Sequence, residues 1–576
     1  MDAGLAARPW LKYYGHVPAH IDYPEKGMYA LLSETAREHP KSFALCFEGK
    51  RTRFSELDGQ VRRCAAAFRR AGVGPGDRVI VCLPNVPQAV VCVYALNLLG
   101  AVFCLVHPLS GANEMGHYLT LTKSRTVVTM KGLEGKFLQH GVPPGSVILC
   151  DVSHALPPAK RALYTMAQAG KGAGRPRGEA RACVPWGAFL KGADPLAAEE
   201  IPENDPHALA AILFSAGTTG RMKGIRLSGY SINANAMQTV EMGRCTFPGL
   251  KVVAIIPIFH GFGLSVCIHT AMIYGFESVL VPQFSEKGFA RVLRSCSPNV
   301  IAGVPTLFEK MLRSKAFSRL DLSTLTGVFS GGDVVSPSLK ARFDRYLIER
   351  GAHVELREGY GTTECVTVNV LNPEGAVRAG TMGVSMPDMM HKIVEPGTER
   401  ELPYGQEGEL CLTGPTVMLG YEGDEEATAE ALRVHADGRT WLHTGDICVM
   451  DEDGYIAFRQ RLKRMIVTSG YNVYPSQVEN ALDALPWVEK SCVLGVPDPV
   501  KGSRVKALVV LRGGLGASQD PASESARNLR KRTLAAIRED IAGYALPQEI
   551  EFVESLPETL FGKTDVQKLM EREAAR

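Results

Sequence analysis

The chain has 576 residues, with 64 Lys+Arg against 61 Asp+Glu, a formal net charge of +3, and 45% hydrophobic residues. That is globular composition for roughly three or four folding units of ~150 residues each, and it excludes collagen-like, disordered and small disulfide-scaffold classes. A near-zero net charge gives no electrostatic reason for a nucleic-acid partner, so a small molecule is the default ligand. The 14 cysteines lie far apart, the nearest being Cys82 and Cys92, and none forms a CxxC. This spacing argues against structural zinc and for reduced, buried thiols in a cytoplasmic protein, an expectation that fits an N-terminus without a continuous apolar leader.

In chain order, a helix is expected over Phe54 to Arg70, then a Gly-rich turn from Gly72 to Asp77 and an apolar strand from Arg78 to Leu83. Ala89 to Val106 is apolar enough for a membrane check, but Pro84, Pro87 and Gly100 divide it. It reads as a buried helix from about 86 to 99 followed by a buried strand, not a transmembrane span; peripheral membrane contact is left open. Such alternation predicts parallel α/β layers. Residues 153–200, rich in Ala, Gly, Pro and Arg, read as a surface insertion. Strands follow at 252–259, 278–282 and 299–305, with helices over 285–296 and 306–315 between them. From Gly408 short strands and turns suggest a small β-rich subdomain, and beyond 461–463 a final α+β unit is expected.

Chemistry first shows in LFSAGTTGRMKGIRLS (213–228), where hydroxyls, glycines and Lys223 crowd one loop. Backbone N–H groups, hydroxyls and an ammonium together make a phosphate cradle, although Lys223 does not follow the spacing of a P-loop. Further motifs come in order: IPIFHGFGL (256–264), GVPTLFEKML (303–312), SGGD (330–333), EGYGTTE (358–364), WLHTGDI (441–447), RLKRMIVTSGYNVYPSQVE (461–479) and LPETLFGK (556–563).

This ordered set, spanning most of the chain, resembles the signature of the adenylate-forming (AMP-binding) superfamily, in its acyl-CoA synthetase branch. The wording is most similar to bacterial fatty acid-CoA ligases, and also to luciferases and coumarate-CoA ligases. The resemblance implies an α/β luciferase-like fold: a large N-terminal domain of layered sheets with a β-rich subdomain (1–461), a hinge at about 461–464 carrying Lys463, and a small mobile α+β domain (464–576). It implies ATP, Mg²⁺ and coenzyme A as the reaction's small molecules, and two half-reactions through an acyl adenylate.

Residue by residue, the resemblance implies that Ser215, Gly217, Thr218, Thr219, Gly220 and Lys223 hold the nucleotide phosphates. Gly331, Gly332, Gly359, Tyr360, Gly361, Thr362 and Thr363 would form the adenine slot, where glycine leaves room for a flat ring. Glu364, with Thr218, would hold the metal. Asp446 would bind both ribose hydroxyls and Arg461 would add a ribose or phosphate contact, a domain-boundary salt bridge being the competing reading of that arginine. Lys563 would bridge the attacking carboxylate and the α-phosphate. His260 would gate the acyl and thiol tunnels, against the alternative of a buried core histidine. Ser469, Gly470 and Tyr471 would guide pantetheine, and Phe262, Gly263, Val304 and Val366 would line the acyl pocket.

The phosphate loop departs from the family pattern at Ala216, Arg221 and Met222, the hinge at Gln460, and Val467 stands where some relatives carry a second lysine. Amino-acid-activating members carry an aspartate where this chain reads FHGFGLS (259–265), so a buried ammonium would lack its counter-charge. An apolar acid follows, a medium- or long-chain fatty acid being favoured. The alternatives are an aryl-acid CoA ligase, a fatty acyl-AMP ligase serving a carrier protein, and an inactive acyl-nucleotide sensor.

Overall fold

The computed structural model describes residues 8–574 except 171–177, 217–221, 245, 246, 248, 465, 469, 470, 474, 499–501, 515–522, 539, 540, 542, 544 and 559–563. The helix expected over Phe54–Arg70 has those bounds, and the apolar stretch folds as helix Pro87–Leu98 followed by strand Val102–Leu105. Pro87 opens that helix, where its missing N–H costs no intrahelical bond. Every residue from Gln88 to Leu98 is buried, so the helix needs no polar face. Among the described residues no helix is long and apolar enough to cross a membrane.

Two large sheets carry the architecture. In the nine-stranded sheet the central strands Leu356–Gly361, Gly327–Ser330, Val300–Gly303, Lys251–Ala254, Glu277–Leu280 and Phe43–Phe47 run in parallel register, with antiparallel strands at both edges. The eight-stranded sheet places Leu209–Ala216 beside Val102–Leu105 and closes with the antiparallel strands Met222–Ser228 and Gly420–Tyr421. Because side chains alternate along a strand, each sheet feeds two cores. Ala254 from one sheet and Val79 and Phe103 from the other share a central cluster with Phe68 and Leu96 of the helices between them. Val253 and Ile301 face the opposite way, toward Phe308 and Phe343, and Ile80 and Cys104 face Tyr118. The result is a helix–sheet–helix–sheet–helix stack.

Three sequence expectations change. The strand expected over 252–259 ends at Ala254, because the chain turns at Pro257 toward the π-helix Phe262–His269. The 153–200 stretch is only partly a surface insertion. The described side chains of helix Pro158–Gly170 are exposed, yet Val184–Pro185 adds an edge strand to the eight-stranded sheet, and Phe189 is buried with its ring 5.0 Å from that of Phe68. The β-rich subdomain begins before Gly408: its antiparallel sheet comprises Met390–Val394, Glu407–Thr413, Thr440–Met450 and Leu432–Val434, with Ile456–Arg461 paired to Thr440–Met450.

Beyond it, Ile466–Thr468, Tyr471–Val473, Gly502–Leu511, Val488–Asp498 and Glu549–Val553 form a fourth sheet. Helices Pro475–Asp483 and Glu524–Ile537 cover it through Val478, Val493 and Ile537. The α+β character expected of the C-terminal unit follows from this.

Candidate active site

Gly217, Thr218, Thr219 and Gly220 lie outside the described residues, which include the strands on either side of them. Leu209–Ala216 pairs antiparallel with Met222–Ser228, setting Ser215 opposite Lys223. The short strand Gly420–Tyr421 pairs on the far side, with Tyr421 opposite Ile225. This register brings the Lys223 ammonium to 4.1 Å from the centroid of the Tyr421 ring, a cation–π contact of about 0.5–2 kcal/mol. The Tyr421 hydroxyl donates to Glu364 Oε1 at 3.0 Å, while the Glu364 carbonyl accepts from Met418 N–H. Burial, and then the Glu364 charge, push the Tyr421 phenol far up, so it stays a donor. An ammonium, an aromatic ring and a carboxylate thus stand in line beside strand Met222–Ser228. Tyr421 was not singled out by sequence, since its only signal is a two-residue strand.

A second constellation forms on the β-rich subdomain. Asp446 and Arg461 are direct cross-strand partners. Asp446 is fully buried; its Oδ2 accepts from the Tyr360 hydroxyl at 2.6 Å and its Oδ1 lies 3.0 Å from Arg461 Nε. The Asp446 N–H donates to Thr444 Oγ1, whose hydroxyl is anchored on the Leu410 carbonyl. The Asp446 charge outweighs burial and raises the Arg461 pKa, whereas burial and Asp446 push the Tyr360 phenol up. The salt bridge weighed for Arg461 exists, but it joins two strands of one sheet.

The glycines behave differently from one another. A Cβ on Gly331 would meet the Gly359 carbonyl at 3.4 Å and Phe262 at 3.5 Å, and Gly332 holds φ +80° beside Val304. At Gly359 and Gly361, however, an added Cβ would strike the Val370 carbonyl at 3.0 Å and the Thr367 carbonyl at 1.7 Å. The close approach of the neighbouring strand by itself requires glycine at those two positions. Beside this run, Ser330 Oγ is buried without a hydrogen-bond partner among the described residues, and the buried Thr362 Oγ1 has only the weakly bonding Cys365 thiol. Buried unpaired hydroxyls are costly and point to a polar ligand. Thr363 and Glu364 are half-buried in the single turn Thr363–Cys365.

The turn ends at Val366, a buried β-branched residue at φ +65°, ψ −65°, where Thr367 N–H donates to the Cys365 carbonyl at 2.7 Å. This γ-turn is strained for valine. It is locked from outside, because a Cβ on Gly261 would fall 1.8 Å from the Val366 carbonyl. Gly263 is equally constrained, its missing Cβ lying 2.1 Å from the Pro257 carbonyl. His260 is half-buried and its Nδ1 accepts from Phe262 N–H at 3.2 Å, so it is not the fully buried core histidine of the competing reading. Phe262, Gly331, Gly332 and Val304 are thereby gathered at one place, with Val366 against Gly261.

Lys463 falls in the turn Leu462–Arg464 and Tyr471 opens the strand Tyr471–Val473. Ser469, Gly470 and Lys563 lie outside the described residues.

The AMP-binding enzyme family profile matches residues 32–422, more than half of the chain, and the AMP-binding enzyme C-terminal domain matches 477–563. A long-chain-fatty-acid–CoA ligase of Bacillus subtilis (strain 168) is 30% identical over 98% of both chains. A feruloyl-CoA synthase of an Amycolatopsis species is 31% identical over 92% of this chain and 95% of its own. Among solved structures, an ATP-bound RpMatB–BxBclM chimera superposes with a TM-score of 0.78 at 25% identity, covering 95% of this chain and 98% of that one. The chain belongs to the AMP-binding enzyme family.

Proposed function

We propose that this enzyme is an AMP-forming acyl-CoA ligase acting on a medium- or long-chain fatty acid. The observation that carries the reading is a pair of prepared constellations, Lys223–Tyr421–Glu364 and Tyr360–Asp446–Arg461, linked along the chain through residues 360–364, with the buried, unpaired hydroxyl of Ser330 on the neighbouring strand. One suits a polyphosphate and the other a ribose. In the first half-reaction an oxygen of the acid attacks the α-phosphorus of ATP, the bond to the β-phosphate oxygen breaks, and pyrophosphate leaves. In the second, the CoA thiol attacks the acyl carbonyl and AMP leaves.

Ser215, the 217–220 loop and Lys223 offset charge growing on pyrophosphate. The Asp446 carboxylate accepts from the ribose hydroxyls, held in place by Tyr360 and Arg461. Glu364 is a half-buried carboxylate with one oxygen bonded to a phenol, a donor that fits a hard, hydrated cation together with Thr218. Mg²⁺ held there would neutralise phosphate charge. Lys563 draws the acid and the α-phosphate together, and rotation of a domain from about 464 about Lys463 removes it and brings Ser469, Gly470 and Tyr471 to the thiol.

Apolar Phe262, Val304 and Val366 favour an apolar acid. An aryl acid is the second reading, favoured by the feruloyl-CoA synthase relative.

The test is pyrophosphate release with ATP and Mg²⁺ on a series of fatty acids from butyrate to stearate and on aryl acids, each with and without CoA. CoA-dependent turnover peaking at a fatty chain length supports the proposal; a peak on aryl acids moves the substrate, and a single CoA-independent round of release points to a carrier-protein acceptor. Lys563→Ala should lose adenylation by about two orders of magnitude or more yet still convert supplied acyl-AMP and CoA. Unchanged pyrophosphate release by that variant removes the lysine from the mechanism.

A further inference from the structure

The β-rich subdomain holds a second cluster that the ligase reaction does not use. Cys411 on strand Glu407–Thr413 and His443 on strand Thr440–Met450 are direct cross-strand partners, so both side chains leave the same face of the sheet. Strand Leu432–Val434 pairs with the other side of Thr440–Met450 and delivers His435 at its end. One ligand atom from each of Cys411, His435 and His443 lies within 4.8 Å of the others, the only such group of three among the described residues. All three are buried, at 0%, 4% and 8% exposure. Residues 24 and 8 apart in sequence thus converge by strand register, which a search for CxxC spacing cannot see.

The hydrogen bonds are those of a metal site with a proton in the metal's place. Glu409 Oε2 lies 2.9 Å from His443 Nδ1, so the network assigns the proton to Nδ1 and leaves Nε2 with its lone pair. That lone pair faces His435 Nε2 at 2.9 Å. The two imidazoles therefore share a proton, and His435 Nδ1 is left buried with no partner among the described residues. A carboxylate behind a ligating histidine is the usual outer support of zinc sites, fixing tautomer and ring direction. Glu409 is itself buried and fixed, its Oε1 accepting from Gly445 N–H at 3.0 Å.

We propose that Cys411, His435 and His443 bind a zinc ion, with Glu409 as the positioning residue behind His443. One thiolate and two imidazoles form a borderline-soft donor set that excludes Mg²⁺ and Ca²⁺ and suits tetrahedral zinc. Zinc–ligand bonds of roughly 2.0–2.3 Å need ligand atoms roughly 3–4 Å apart, so the two imidazole nitrogens, 2.9 Å apart, must part slightly and any pair nearer the 4.8 Å limit must close. On binding, the Cys411 thiol releases its proton to solvent and its sulfur bonds the metal; the proton on His435 Nε2 moves to Nδ1, freeing Nε2 to ligate. Burial and then the Glu409 charge push the Cys411 thiol up, and the Lys392 ammonium, over the Trp441 ring at 4.0 Å and cross-strand to Cys411, works against them; the bond to the metal is what would take the proton off. A water molecule would supply the fourth ligand. The site sits directly before Thr444, Gly445 and Asp446, and Glu409 touches both His443 and Gly445, so the ion would brace the strand that presents the proposed ribose carboxylate.

The test uses the full chain, stripped with a chelator and dialysed. Titration with Co²⁺ should give the d–d bands of a tetrahedral site and a thiolate-to-cobalt charge-transfer band, both displaced by one equivalent of Zn²⁺. Cys411→Ser should abolish the charge-transfer band, and His435→Gln should weaken zinc by about tenfold or more in competition with a chromophoric chelator. Absence of the charge-transfer band in the unmodified chain overturns the proposal, as does its persistence in Cys411→Ser. Metal-free melts show whether each variant is folded. Should Cys411→Ser not fold, the unmodified spectrum and His435→Gln still decide.

Discussion

Asp446 and Glu358 are both buried carboxyl groups, at 0% and 8% exposure, yet the chain surrounds them in opposite ways. Asp446 has a guanidinium on one oxygen and a phenol on the other. Glu358 has one backbone donor, Val335 N–H at 3.1 Å, and the Asp333 charge works against it. Burial therefore pushes the Glu358 carboxyl up to about 8, so it is a neutral acid at working pH. Glu358 precedes Gly359 in the chain and Asp446 meets the Tyr360 hydroxyl, but of the two only Asp446 has a cation in place among the described residues to hold a buried negative charge. Depth alone does not mark a site; the counter-charge supplied by strand register does.

Removing the charge at Asp446 should break this contrast most visibly. Asp446→Asn keeps the shape, leaves Arg461 without its counter-charge and would weaken the two charge-assisted bonds proposed to ribose, each worth about 1.5–3 kcal/mol. The kcat/KM for ATP in pyrophosphate release should fall by about two orders of magnitude or more, and a loss below about threefold would place the ribose elsewhere. Glu364→Gln tests a carboxylate of intermediate exposure. Activity should fall by about tenfold to a hundredfold, with the Mg²⁺ dependence moving to higher concentration. An unshifted Mg²⁺ curve would take the metal away from Glu364.

The layered fold was legible because its elements carry their own signals: the Pro87–Leu98 helix by apolarity and a proline start, Phe54–Arg70 by periodicity, and the parallel strands by short β-branched runs. Ser215, Lys223, Glu364 and Asp446 were legible as motif residues. Tyr421 was not, because its importance arises only when a two-residue strand sets its ring under Lys223. The Cys411–His435–His443 cluster was hidden for the same reason, since cross-strand register has no local spacing. Gly359 and Gly361 were named as small residues for a ring, and the carbonyls of the adjacent strand add a second requirement for glycine that the motif does not reveal. Sequence motifs record which residue is required and leave open which neighbour requires it.

Smaller effects sharpen the picture. Tyr421→Phe keeps the ring beneath Lys223 and deletes only the hydroxyl donated to Glu364. A net loss of about 1 kcal/mol corresponds to roughly fivefold in kcat/KM, whereas Tyr421→Ala, which also removes the ring, should cost more. Equal losses in the two variants would show that the ring contributes nothing.

The least change in activity, and the clearest change in stability, is expected from Glu358→Gln. The folded pKa of Glu358, about 8, stands above its ordinary 4.5, so between those values the native state holds a proton that the unfolded chain has released. Stability from this group is fully present below about 4.5 and drains away as pH rises through about 8. Glutamine resembles the protonated acid, keeps an oxygen for Val335 N–H and cannot ionise. Melting curves at pH 6 and pH 9 should therefore show a steeper decline in the wild type, with the variant melting about 2 °C or more higher at pH 9. Parallel declines would mean that Glu358 is ionised in the folded chain and that its environment supplies a compensating charge, erasing the difference from Asp446.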